Sequence, residues 1–131
     1  MTTKLRSTPA QRALLAALLL GIASAGFAQK ATEMFIPLGQ SAGLSGKHTM
    51  LARVQSVNEA QRSITLVQDG TATTVRLGAR TPVWLDRSKQ QQANGVATLA
   101  DVKPGMAAEV KFEKNNRSAG EAEWVKVQSE P

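Results

Sequence analysis

Ser63-Ile64-Thr65-Leu66-Val67-Gln68-Asp69-Gly70-Thr71-Ala72-Thr73-Thr74-Val75-Arg76-Leu77 decides the fold class of this chain. Within residues 63–67, Ile64 and Leu66 fall on one face of an extended segment, because side chains alternate along a strand with a period of two. Residues 73–77 are again rich in strand-favouring types. Between the two runs stand Asp69 and Gly70, a pair that tolerates the positive φ angles of a two-residue primed turn. The stretch therefore reads as an antiparallel hairpin.

Working outward, the same pattern recurs at intervals of roughly ten residues, the spacing of an antiparallel barrel or sandwich. Upstream, residues 49–57 form a first strand, followed by the polar turn Asn58-Glu59-Ala60-Gln61-Arg62. Downstream, residues 81–85 form a fourth strand with Pro82 at its start, where a missing N–H is tolerated. Residues 87–94 are polar apart from Ala93 and read as a surface loop. Thr98-Leu99-Ala100-Asp101 fits a capping-box start in which the threonine hydroxyl satisfies early amides, and Pro104-Gly105 stops the segment, so one short helix is expected there. Ala108, Val110 and Phe112 alternate along the next strand, residues 115–120 turn, and Val125 and Val127 alternate along the last.

Residues 1–28 carry a different signal. Lys4, Arg6 and Arg12 make a basic leader without an acid, residues 13–22 are apolar and leucine-rich, and Gly26-Phe27-Ala28 places small residues where a signal peptidase cuts. The expectation is a secretory signal peptide over residues 1–28, cleavage after Ala28, and a periplasmic protein. The apolar run falls short of the about 20 residues of a membrane span, and no second run follows it, so no membrane span is expected. The chain has no cysteine, which excludes both a disulfide and the usual lipoprotein anchor. Residues 29–46 contain Gly39, Gly43, Gly46, Ser41 and Ser45 without a sustained period and read as a flexible N-terminal arm. Its apolar patch, Met34-Phe35-Ile36-Pro37-Leu38, is able to dock on the domain. Residues 47–129 then make one domain, on the order of 100 residues at most, that must rest on a well-packed β core. Half of the formal net charge of +6 lies on Lys4, Arg6 and Arg12. What remains is a mild excess with acids spread among the bases and no tyrosine, unlike the basic, aromatic stripe of a nucleic-acid module.

Ala52-Arg53-Val54-Gln55-Ser56-Val57-Asn58, Ser63-Ile64-Thr65-Leu66, Ala97-Thr98-Leu99-Ala100-Asp101-Val102-Lys103-Pro104-Gly105-Met106 and Ala108-Glu109-Val110 together resemble a family of small exported bacterial modules, mostly of unknown function. Their barrels look like oligonucleotide/oligosaccharide-binding (OB) folds, so the resemblance, over residues 50–128, implies a small antiparallel OB-like barrel of five to six strands with one short helix before the last two. The strand order is also similar to that of periplasmic copper chaperones of the CusF type. Those hold Cu(I) through a histidine, two methionines and a tryptophan on the second and third strands. Residues 66–77 contain none of these types, so copper binding does not follow from the resemblance.

Soft metal ligands meet only at His48-Thr49-Met50, where positions i and i+2 share a strand face and could hold Cu(I) with a third ligand from Met34 or Met106. The plainer reading makes His48 a solvated strand start and Met50 a core residue. Nucleophilic catalysis needs a base beside the nucleophile, and the chain has one histidine and no thiol. Asp86, Asp101, Glu109, Glu113, Glu121 and Glu123 fall where strand edges, caps and ion pairs would place them, so a non-enzymatic protein without a cofactor is expected. Trp84-Leu85-Asp86-Arg87-Ser88-Lys89 is the most distinctive polar-aromatic cluster, and Trp84, Arg87 and Lys89 are the candidate ligand-binding residues. An exposed Trp84 flanked by Arg76, Arg80 or Arg87 could stack on a sugar or another planar group. Otherwise Trp84 plugs one end of the barrel while Asp86 and Arg87 pair across a turn, and Trp124 is buried against the N-terminal arm. Asn116-Arg117-Ser118 matches a glycosylation acceptor by coincidence. The sequence thus points to an exported binding or accessory module whose partner is an envelope protein or an anionic envelope component. A periplasmic copper chaperone and an envelope polyanion or glycan binder are the alternatives.

Overall fold

Seven strands form between Thr49 and Gln128 in the computed structural model, which describes residues 30–129. The leader expected at residues 1–28 and its cleavage point lie outside the described residues. The chain divides into two units, Met1–Glu33 and Met34–Pro131. Residues 30–33 of the first form a helical turn, and the second carries the described strands.

The strands are β1 (Thr49–Asn58), β2 (Ser63–Gln68), β3 (Thr71–Arg76), β4 (Val83–Asp86), β5 (Gly95–Ala97), β6 (Ala107–Phe112) and β7 (Ala122–Gln128). They pair in the order β3-β2-β1-β6-β7-β4-β5 as one sheet. Every pairing is antiparallel except β4 with β7, which is parallel. The hairpin that opens the sequence argument is present: Gln68 faces Thr71 across the turn, and Asp69 and Gly70 have φ of 50° and 78°. Both central positions are left-handed, as a type I′ turn requires.

The sheet differs from an antiparallel barrel of five to six strands in three respects. There are seven strands, because Gly95-Val96-Ala97, too short to show alternation, pairs with β4. The sheet is mixed and is not closed into a barrel. One isolated parallel bridge joins Arg76 to Glu121, with the Arg76 amide donating to the Gly120 carbonyl at 2.7 Å, and no ladder extends from it. Finally, the short helix expected after Thr98 is a single 3-10 turn, Leu99–Asp101. There the Asp101 carboxylate accepts both the Thr98 amide and the Thr98 hydroxyl, at 2.8 and 3.1 Å. Thr98 and Asp101 form the expected capping box, and Pro104 leaves no room for a second turn.

Two apolar clusters hold the structure. The larger contains Met50, Val54, Ile64, Leu66, Val75, Val110, Phe112, Val125 and Val127 with their neighbours, on the inner face of the strands. The smaller lies on the other face, where Trp84 and Trp124 pack with Leu44 and the half-buried Met34. The rings of the two tryptophans are tilted by 39° with centroids 5.5 Å apart, within the range favoured by aromatic pairs. Because both faces of β7 are covered, Trp124, Val125, Lys126 and Val127 are all buried. The cover on the second face is the chain itself, over residues 34–48.

Candidate functional site

Strand register builds a row of unlike side chains under that cover. Leu51 on β1 faces Glu109 on β6, Glu109 faces Lys126 on β7, Lys126 faces Trp84 on β4, and Trp84 faces Val96 on β5. Directly paired residues project to the same side of a sheet, so an acid, a base and an indole stand side by side. Asp86 and Gln128 form the adjoining row. Asp86, Glu109 and Lys126 each have no solvent exposure, and a buried charge is tolerated only with full hydrogen bonding.

The partners come from the backbone of the strap, residues 34–48. The Lys126 ammonium donates to the Ile36 carbonyl at 2.7 Å and lies over the Trp124 ring, 5.2 Å from its centroid. Asp86 Oδ2 accepts the Leu38 amide at 2.8 Å and the Gln128 side-chain amide at 3.1 Å, while Oδ1 accepts the Ser88 amide at 2.8 Å. Glu109 Oε1 accepts the Gly39 amide at 3.0 Å, and Oε2 accepts the hydroxyls of Ser45 and of Thr49, the latter at 2.8 Å. The Asn94 side chain adds a bond of 2.7 Å to the Met34 carbonyl. Three side chains of the sheet, and Asn94 from the loop before β5, thus hold the main chain at Met34, Ile36, Leu38 and Gly39. Burial by itself would raise the Asp86 carboxyl. The Leu38 amide, the Ser88 hydroxyl and amide, and Gln128 outweigh that and hold it below its ordinary value of 3.8.

The sequence-derived candidates are placed apart from one another. Trp84 is only 5% exposed and presents no stacking surface. Arg87 does not pair with Asp86 across the turn. Its Nε donates to the Ala93 carbonyl at 2.9 Å and its guanidinium packs so closely on Gly95 that a Cβ there would lie 2.9 Å away. The arginine therefore shapes the loop of residues 87–94. Lys89 is exposed on the 3-10 turn Ser88–Gln90 of that loop. Of the flanking arginines, Arg76 pairs with Glu121 at 2.8 Å and Arg80 is exposed. His48 is exposed, while Met50 is wholly buried in the larger cluster. Met34 belongs to the tryptophan cluster and Met106 packs against the larger one, so the four soft groups do not converge. No group of three His, Cys, Asp or Glu able to hold a metal exists among the described residues. Asn116 accepts the Ala119 amide at 3.2 Å and starts the 3-10 turn Arg117–Ala119.

The sequence reading assigned Asp86 and Glu109 to strand edges, caps or ion pairs, placed Asn94 in a surface loop and did not single out Lys126. Strand alternation assigns polar residues opposite the core to solvent, and only the strap removes solvent from that face. The available signal was the conjunction of Met34-Phe35-Ile36-Pro37-Leu38 with tryptophans at outward positions. Comparison with known protein families, curated proteins and solved structures finds no match to this chain.

Proposed function

We propose that this protein is an exported, non-enzymatic accessory module of the periplasm that binds an envelope protein through the β4–β5 end of its sheet. The observation that carries this reading is the exposure of two large apolar side chains, Phe35 at 66% and Val96 at 76%. Both belong to one region of the fold: Asn94, two residues before Val96, bonds the Met34 carbonyl next to Phe35. β5 also ends the strand order, and an end strand offers main-chain donors and acceptors to a partner. The exposed Lys89 stands in the loop that leads into β5. The rigid tryptophan cluster beneath positions this edge, and loops on a rigid scaffold are where recognition concentrates.

A photocrosslinking residue at position 96, in protein expressed with its own leader, tests the reading. A discrete adduct from position 96, absent from position 103 and lost when Phe35 is replaced by serine, is the expected result. The same adducts from both positions, or none from position 96, would overturn it.

A further inference from the structure

The pairing of Thr49 with Lys111 brings the chain entering β1 beside the chain leaving β6. A second consequence of that register is a pocket of about 120 Å³ between the two segments. Lys47, His48 and Thr49 line one side, and Asn115 and Arg117 line the other, with Phe112 at its base. No carboxylate lines it. Behind Thr49 lies Glu109, whose oxygens are taken up by Gly39, Ser45 and Thr49 itself. Lys111, the next cation along β6, is engaged by Glu123.

We infer that this pocket is a binding site for a phosphate-class oxyanion. Lys47 brings an ammonium and Arg117 a guanidinium, donors with no acceptor, and His48 adds a ring N–H. Arg117 commits one nitrogen, Nη2, to the Gln68 side chain at 2.7 Å. That bond orients the guanidinium and leaves its remaining N–H groups, of five in all, for a ligand. The Asn115 amide supplies a further neutral donor. Asn115 and Lys114 both adopt φ of 54°, a left-handed pair that the β6–β7 connection maintains against the preference of non-glycine residues. In volume the pocket exceeds what one water needs, about 10–15 Å³ in comparable measure, and suits a tetrahedral anion. The larger pocket nearby, about 410 Å³, is lined by Glu113 and Glu121 as well as Lys114, so its charges offset and it favours no anion. This site is separate from the β4–β5 edge, and its occupancy does not depend on a partner binding there.

Titration of the whole secreted chain with inorganic phosphate, followed by amide chemical shifts at constant ionic strength, tests the inference. Saturable shifts confined to residues 46–49 and 112–117 are expected. Arg117→Ala and Lys47→Ala should each weaken binding about tenfold, the effect of removing one charge-assisted hydrogen bond, whereas Lys89→Ala should leave it unchanged. Arg117→Lys keeps the charge without the fork and should fall between, which separates ligand binding from loss of fold. Shifts spread evenly over all surface lysines, or equal weakening by Lys89→Ala and Arg117→Ala, would overturn the site. Sedimentation with vesicles of anionic against zwitterionic phospholipid then tells the source of the anion. Arg117-dependent sedimentation with anionic vesicles supports the site with a lipid headgroup as occupant, and phosphate binding without sedimentation supports it with a free anion.

Discussion

Gly70 is a case where one residue's conformation carries a whole hairpin. Its φ is 78°, and a Cβ added there would meet nothing within 4 Å, so any substitution cost is a cost of backbone conformation alone. Gly70→Val should lower stability by about 1 kcal/mol or more, and Gly70→Asn by much less, because asparagine tolerates the left-handed region. Urea denaturation of the two variants measures the difference. Asp86 makes a prediction about pH. Its carboxyl is held below 3.8 by the Leu38, Ser88 and Gln128 donors in spite of burial, so its folded value lies under its unfolded one. The stabilisation is therefore complete above the unfolded value and is lost as pH falls through the folded value. Asp86→Asn should cost on the order of 2 kcal/mol at neutral pH and flatten the decline below about pH 4. Equal acid-side slopes for the two proteins would count against this assignment.

Residues 34–48 act as an element although they contain no strand. Their hold on the sheet is through side chains that grip main-chain atoms, from Asn94, Lys126, Asp86 and Glu109, and through Leu44 and Met34 on the tryptophan pair. An element fastened this way should open as a unit, with less free energy than the paired strands. The Leu38 and Gly39 amides are expected to exchange slowly in hydrogen-exchange measurements. Glu109→Gln replaces one acceptor oxygen by a donor group where three donors converge. It should speed exchange at Gly39 while leaving β2 and β3 protected. Trp124→Ala should loosen the same segment and cost about 3–5 kcal/mol, since it removes the largest wholly buried side chain. If strap exchange in either variant matched the parent protein, the grip would be incidental.

For the molecule as a whole, the expectation of export rests on Lys4, Arg6, Arg12, the apolar run and the small residues before Gln29. Intact-mass measurement of protein from the periplasmic fraction should find a chain that begins at Gln29, and a chain retaining Met1 in the membrane fraction would contradict it. No described helix is long and apolar enough to cross a membrane. Stability at this size comes from two apolar clusters on opposite faces of one sheet. Chelators should therefore leave the thermal midpoint unchanged, a result that a differential scan with and without a Cu(I) chelator checks.

Local chemistry made much of this legible in advance. The β2–β3 hairpin followed from Asp69-Gly70, the inner core from the alternation of Ile64 with Leu66 and of Val125 with Val127, and the stop near Pro104-Gly105 from proline's missing donor. These features depend on residues within a turn or a strand of one another, so the sequence by itself determines them. The polar face was not legible, because Ile36, Leu38 and Gly39 meet Lys126, Asp86 and Glu109 across 90, 48 and 70 residues of chain. The same holds for the parallel pairing of β4 with β7 and for the meeting of Lys47 and His48 with Arg117. Whether a polar side chain opposite the core faces water or another segment is set by tertiary packing, since burial is a property of what lies above a residue and not of its neighbours in sequence.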